Sequence, residues 1–487
     1  MLLGIDQGTT GTTAIVYDER LTPQATGYAK VPRNQPDPGR VEVAPDDLLE
    51  SVETAVADAL DGGDVRASDV DAVGLANQGE TSLCWDADGR PVHDAIVWQD
   101  RRTADRCAEL RDDEAFREYV RETTGLRIDP YFSATKLEWL VENVDVDDDL
   151  YFGTTDTWLL WQLLDGDPYV TDHATASRTM LFDVETLAWD DRLLEVFGLD
   201  AFEPPRPVPM DEVVGHVAAD ALGAVDAPVA GCIVDQQAAL YGQGCHEPGD
   251  AKCTYGTGSF LLMNGGTERV EYADGVLGTV GWTLDGETTY AYDGGIYTTG
   301  AFVDWLADSL EFVDDPAETE DLARSVESSN GVCAIPALTG LAAPYWDSKA
   351  RGAFVGLDAS TTQAHLVRAG LEGIAYRVRD VVDAMQSAVG AELGTIQVDG
   401  GLTANGFLME YQAAVLGQPL TVSNVAEATS LGTAALAGRA TGHDVDATRL
   451  GEQQRRVEPT DVAVDVESQY ERWRDAVGTL RDWHARW

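Results

Sequence analysis

The sequence predicts an α/β protein of two related domains that face one another across a cleft, and three observations carry that expectation. Short apolar strands alternate with apolar-periodic helical stretches along the chain. A strand–glycine/threonine turn–strand unit occurs twice, around Gly8–Gly11 and around Gly256–Gly258, about 250 residues apart. The length of 487 residues exceeds what one hydrophobic core usually serves, so two domains of roughly 200–250 residues are the natural division. The boundary falls near Gly244–Gly249, giving domains 1–245 and 246–487.

The N-terminus reads as a β-meander: strands Leu2–Asp6, Thr12–Tyr17 and Ala25–Val31, joined by turns at Gly8–Gly11 and Asp18–Pro23. Asp46 then caps an apolar-periodic helix that runs to Leu60. Val70–Ala76 is a buried strand ending in the polar cluster Asn77–Thr81, and Leu159–Leu164 is the body of a helix opened by Asp156. Val229–Val234 is a single strand leading into Asp235 and the helix Gln236–Tyr241. Beyond residue 250, strands Ala251–Tyr255 and Ser259–Met263 flank the second glycine turn, and strand Ile396–Val398 precedes Asp399-Gly400-Gly401 and the helix Phe407–Leu416. Residues 313–329 are acidic and helix-prone. Asp444–Val466 reads as a polar stretch before a last amphipathic helix near Gln469–Trp487.

Acids far outnumber cations: 85 Asp and Glu against 33 Lys and Arg, a net charge of -52, with lysine only at 30, 136, 252 and 349. Acidic tails that bind basic partners come as blocks of like charge, whereas these acids are spread among apolar residues. The spread predicts a folded protein of a molar-salt cytoplasm, where the Debye length shrinks to about 3 Å and self-repulsion is screened. No basic patch offers to neutralise nucleic-acid phosphates, so no such partner is expected. No window approaches the roughly 18–20 consecutive apolar residues of a membrane span. No basic segment precedes the first apolar run, so no secretory signal is expected either. The six cysteines show neither a CxxC nor a metal-ligand spacing and read as small buried residues of a reducing cytoplasm.

Three turns and one acid could carry chemistry. In Asp6-Gln7-Gly8-Thr9-Thr10-Gly11, glycines let a ligand approach the backbone, while amides and threonine hydroxyls can donate to phosphate oxygens. Asp6, at the strand end, could hold Mg²⁺ through water. Gly256-Thr257-Gly258 has the same chemistry, and two such turns in two halves favour a phosphate clamped between domains; a plain hairpin turn would need the same residues. Asp399-Gly400-Gly401 would let a nucleobase or ribose lie against backbone, and a tight strand–helix turn would need those glycines too. Asp235 ends a strand and begins a helix, where it could accept the proton of an attacking substrate hydroxyl, or simply cap the helix. No GxxxxGK[ST] stretch exists, which excludes a P-loop enzyme.

In this order, GIDQGTTGTTAIVYD (Gly4–Asp18), AIVWQDRRTA (Ala95–Ala104), IDPYFSATK (Ile128–Lys136), TDHATASRTML (Thr171–Leu181), VDQQAALY (Val234–Tyr241), TYGTGSFLLMN (Thr254–Asn264) and VDGGLTANGFLM (Val398–Met409) resemble the FGGY carbohydrate kinases. These belong to the actin-like ATPase superfamily, and the resemblance, colinear over residues 2–442, is nearest to the glycerol kinases within the family. It implies two actin-like (ribonuclease H-like) domains with the active site in the cleft between them, ATP and Mg²⁺, a small polyol substrate, and a homodimer. It places Glu80, Trp98, Tyr131, Asp235 and Phe260 around the polyol, with Asp235 as catalytic base. Thr9, Thr10, Gly256, Thr257 and Gly258 fall to the phosphates, Gly300, Asp304, Gly401 and Asn405 to the nucleotide, and Asp6 to the metal.

Three positions depart from the pattern. Gly79 stands where glycerol kinases carry a substrate-contacting arginine, which removes a charged bidentate donor and opens space. Thr13 replaces a basic residue after the first phosphate turn, and Asp304 replaces a nucleotide-contacting glutamine. The sequence therefore leaves open a kinase for a larger polyol or ketose (a tetritol or pentulose) beside a glycerol kinase, and beyond these a non-kinase actin-like ATPase. In bacterial relatives fructose 1,6-bisphosphate binds a glycine-rich loop containing an arginine. Here Val213–Pro228 has no arginine or lysine, so such inhibition is expected to be absent.

Overall fold

A computed structural model describes residues 1–63, 65–144, 150–269, 275–390, 392–423, 427–445, 454–459, 465–484 and 486. The first sheet has seven strands: β1 (Leu2–Gln7), β2 (Gly11–Tyr17), β3 (Pro23–Lys30), β4 (Ala72–Asn77), β5 (Gly215–His216), β6 (Pro228–Val229) and β7 (Ile233–Val234). Its order is β5-β6-β4-β1-β2-β3, with β7 also on β4. The second sheet has seven more: β8 (Ala251–Tyr255), β9 (Ser259–Gly266), β10 (Leu277–Leu284), β11 (Glu287–Ile296), β12 (Ile396–Asp399), β13 (Leu420–Ser423) and β14 (Gln454–Val457), in the order β10-β11-β9-β8-β12-β13-β14.

The two sheets share a central plan. β1 pairs antiparallel with β2 across the first glycine turn and parallel with β4 on its other side. β8 does the same with β9 across the second turn and with β12. The repeated strand–turn–strand pattern is therefore a repeated sheet core, and the fold is the expected pair of α/β units.

The helices cover these sheets. In α1 (Pro45–Asp61) Leu48, Val52, Ala55, Val56 and Ala59 recur at helical spacing and are buried against β2 and β3. Each larger side chain contributes about 1.5–3 kcal/mol by leaving water. The cap position is Ala44 and Pro45 opens the helix, so Asp46 lies in the first turn rather than capping. α2 (Thr155–Leu163) likewise begins before Asp156, whose carboxylate accepts from the hydroxyls of Thr154 (2.5 Å) and Thr171 (2.7 Å) in a buried site. α3 (His173–Ser177) and α4 (Asp235–Gly242) bring residues to the site below. In the second half follow α5 (Gly300–Asp308), α6 (Thr319–Arg324), which is all of the 313–329 stretch that forms an α-helix, α7 (Gln363–Val389) and α8 (Gly406–Leu416). α9 (Ala428–Ala440) and α10 (Val466–His484) lie towards the C-terminus.

α9 crosses over: it packs on β1, β4 and α4 of the first half although it lies near the end of the chain. The approach is close enough that a Cβ on Gly4 would stand 2.0 Å from the Ser430 carbonyl oxygen, and one on Gly74 2.3 Å from that of Thr433. Tyr17 and Ser430 share a hydrogen bond of 2.8 Å between hydroxyls.

Two expected elements differ. The strand Val229–Val234 is broken into β6 and β7, because Gly231 adopts φ +66 and its carbonyl turns to accept from Thr433 Oγ1. The polar stretch Asp444–Val466 contains the edge strand β14, paired with β13; residues 446–453 and 460–464 of that stretch lie outside the described residues. All six cysteines are free and buried. Among the described residues no helix is long and apolar enough to cross a membrane.

Candidate active site

Three neighbouring strands of the first sheet deliver the site from their carboxyl ends, the edge at which open α/β sheets bind ligands. β1 ends near Asp6 and Thr9, β4 runs into Gly79 and Glu80, and β7 runs into Asp235. With β9 and β11 opposite, they enclose a cavity of about 180 Å³. Glu80, Trp98, Tyr131, Asp235 and Phe260, the residues the family resemblance points to, all line it, together with Thr9 and Gly79.

Trp98 forms the apolar wall. Its ring meets Tyr131 at 5.6 Å and 88° and Phe260 at 6.4 Å and 85°, and its Nε1 donates to Thr9 Oγ1 at 2.9 Å. The aromatic cage is thus tied to the first phosphate turn.

Glu80 supplies an acceptor, and its backbone is held at φ +59 in the left-handed region that a side chain seldom occupies. Ser82 and Ser133 hydroxyls donate to its carbonyl at 3.0 and 3.2 Å. Arg178, just past α3, donates from Nε to Glu80 Oε1 at 2.7 Å and reaches Asp293 Oδ2 of β11 with Nη2 at 2.8 Å. A buried ion triad therefore links the two sheets across the cavity. Burial pushes the Glu80 carboxyl up to about 7, against the pull of Arg178.

Asp235 is the first residue of α4, and Val234 holds the cap position, so the simple capping role does not apply. Its place at a helix N-terminus favours the anionic form. In the structure burial outweighs it and raises the carboxyl's pKa, opposed first by Lys252.

The second turn builds a platform beside this cavity. Gly300 N donates to Gly256 O at 3.0 Å and Ala301 N to Thr257 O at 3.0 Å, seating the turn Gly256–Gly258 on the start of α5. A Cβ at Gly300 would stand 2.5 Å from Gly256 O, so only glycine fits. Asp304 is exposed one turn along α5, and Thr10 is exposed in the first turn. Gly401 opens a 3₁₀ turn onto free space, as a flat ligand would require. Asn405 caps α8, its Oδ1 accepting from Leu408 N at 2.9 Å and its Nδ2 donating to Thr319 Oγ1 at 3.2 Å. Gly300, Asp304, Gly401 and Asn405 do not line the 180 Å³ cavity.

The residues present fit Mg²⁺. Asp6 Oδ1 and Asp399 Oδ1 are buried without a hydrogen-bond partner. Burial, and then the charges of Asp235 and Glu427, raise the Asp6 carboxyl well above its usual range. Among the described residues no three such side chains gather as a closed metal cage. Mg²⁺ keeps several waters and takes one or two carboxylates, and the unpartnered Asp6 oxygen is a donor of that kind. Lys252, Asp399 and Glu427 line an adjoining cavity of about 370 Å³.

The sequence pattern of the N-terminal domain of the FGGY family of carbohydrate kinases matches residues 1–242, and that of the C-terminal domain matches residues 251–441. The chain belongs to the FGGY family of carbohydrate kinases. It is 43% identical over 495 residues to glycerol kinase 2 of Thermotoga maritima, covering 100% of this chain and 99% of that one. It is 45% identical over 496 residues to a glycerol kinase of Symbiobacterium thermophilum, covering 99% of each. The structure resembles a Plasmodium falciparum glycerol kinase with ADP, with a TM-score of 0.90, 31% identity and coverage of 98% of this chain and 97% of that one. As an FGGY kinase it uses ATP with Mg²⁺.

Sequence reasoning passes over Arg178, Asp293, Lys252 and Glu427. The signal for Arg178 was available: a lone cation inside the run of small and threonine residues from Ala174 to Thr179 has no business at a surface. The carboxylates of Asp293 and Glu427 are lost among 85 acids.

Proposed function

We propose that this FGGY kinase phosphorylates glycerol to glycerol 3-phosphate. The observation that carries the reading is the convergence of Glu80, Asp235 and the Trp98–Tyr131–Phe260 cage on one small cavity beside the first phosphate turn. Carboxylates accept from hydroxyls while aromatic faces cover the carbon chain. Asp235 accepts the proton of the attacking hydroxyl as its oxygen bonds to the γ-phosphorus of ATP and ADP leaves. Glu80, fixed by Arg178, orients a second hydroxyl. Trp98 holds Thr9 and excludes water from the transfer. Asp6 would hold Mg²⁺, which when bound neutralises charge on the phosphates. The Gly256–Gly258 turn and Thr10 receive phosphate oxygens; Gly300, Asp304, Gly401 and Asn405 lie along the nucleotide.

The same reading divides the chain into domains 1–245 and 246–487. It sets the kinase in a salt-rich cytoplasm as a homodimer, without control by fructose 1,6-bisphosphate. A kinase of a larger polyol or ketose is the second reading, favoured by Gly79, which lines the cavity without a side chain; a Cβ there would press on Val234 Cγ2 at 3.0 Å and meet nothing else within 4 Å. ADP release in molar KCl across glycerol, tetritols and pentuloses tests both. Turnover of glycerol with the highest kcat/KM supports the first reading, and preference for a longer substrate replaces it with the second.

A further inference from the structure

Beside the polyol cavity, and sharing Trp98 and Tyr131 with it, lies a larger interdomain cavity of about 670 Å³. Its charge runs against that of the chain. Arg101, Arg111 and Arg127 line it with a single acid, Asp129, in a protein whose acids outnumber its cations 85 to 33. Asp129 Oδ2 makes long ion pairs, 4.0 Å each, with Arg111 Nη1 and Arg127 Nε, so one carboxylate is set against three guanidiniums. Arg111 Nη1 is held by the Ile128 carbonyl at 2.9 Å, and the Arg127 guanidinium lies 4.6 Å from the Trp346 ring centroid of the other half. Arg101 has no side-chain hydrogen bond or ion pair among the described residues and is exposed to the cavity. At the rim Arg33 donates to Gln99 at 2.9 Å and adds a fourth guanidinium.

We propose that this vestibule is a binding site for a phosphomonoester dianion, which the arginines receive next to the mouth of the polyol cavity. Guanidinium groups bind phosphate oxygens in pairs, and a local positive field inside a strongly acidic protein concentrates anions at that one place. Resting on the reading of the smaller cavity as a polyol pocket, the source of the dianion is the reaction's own product, whose phosphate the vestibule holds on its way out. The alternative source of the same chemistry is free phosphate.

Calorimetric titration of the full chain with glycerol 3-phosphate and, separately, with inorganic phosphate tests the site without any turnover. The Arg101→Ala variant and the Arg101→Ala/Arg127→Gln double variant are compared with the parent; Arg101 makes no side-chain hydrogen bond or ion pair among the described residues, so its single variant should fold. We expect the double variant to bind glycerol 3-phosphate at least 10-fold more weakly. In steady state the product-inhibition constant should rise by a similar factor while KM for glycerol stays within 2-fold. Phosphate binding that depends on Arg101, without binding of glycerol 3-phosphate, supports the anion site with free phosphate as its source and counts against the glycerol reading alone. Unchanged affinity for both anions in both variants overturns the proposal.

Discussion

Replacing Arg178 by glutamine should expose how much of the active site hangs on one buried guanidinium. Arg178, Glu80 and Asp293 are 4%, 4% and 7% exposed, so the substitution leaves two buried carboxylates on the same small cavity without their shared cation. Removing one partner of a buried ion pair costs about 3–5 kcal/mol. At about 2–4 °C per kcal/mol for domains of this size, the melting temperature should fall by about 6–20 °C. The kinetics should move as well, because Arg178 is the main group holding Glu80 ionised against burial. In the parent, Glu80 loses its charge and half its acceptor capacity as pH falls through about 7, so KM for the polyol should rise on that acid side. Without Arg178 the carboxyl's pKa rises further, and the same loss of affinity should set in at higher pH. The assay is a pH series of KM, with thermal melts beside it. A melting temperature within 2 °C of the parent and an unmoved acid limb would refute the triad as the organiser of Glu80. Arg178→Lys, which keeps the charge but cannot reach both acids, should recover part of the stability.

Four further outcomes are expected. Asp235→Asn should lower kcat by about 10²–10⁴-fold with polyol binding intact, as loss of a general base does; activity within a few-fold of the parent would remove the residue from that role. Gly79→Arg adds a charged donor of about 1.5–3 kcal/mol, so KM for glycerol should fall roughly 10-fold while longer substrates lose their room; an unchanged KM would show that another group already meets that hydroxyl. Gly300→Ala drives a methyl into the Gly256 carbonyl, a clash of about 1–3 kcal/mol, and should raise KM for ATP roughly 10-fold, with glycerol KM steady as the control. Stability should rise from low to molar KCl, because the -52 charge is screened; a flat or falling melting curve would contradict the salt-adapted reading.

The parts of the fold that could be read from the sequence are those with local chemistry. The glycine–threonine turns, the apolar strands that flank them and the helical spacing of α1 each announce themselves within a dozen residues. What escaped depends on distant partners. Gly231 breaks a continuous apolar run because α9, some 200 residues later, claims its carbonyl. β14 has the sequence Gln-Arg-Arg-Val and looks like solvent-facing loop until β13 supplies its ladder. The polyol cage joins residues from 80 to 260, and only family likeness could gather them. Arg178 lies inside a stretch the likeness covers, yet its function is visible only when Glu80 and Asp293 stand on either side of it.

The crossing of α9 also governs when the protein can fold. Once residue 245 has been added, every strand of the first sheet has been synthesised, but not the helix that covers β1 and β4. Leu2, Ile15, Ala72 and Ala76 then wait in water for Leu431, Ala434 and Ala435. The intervening stretch of nearly 200 residues takes about 10–40 s to synthesise at about 5–20 residues/s. Throughout that interval the nascent first half lacks the helix that covers this apolar sheet face, which becomes available only once residue 440 has been made.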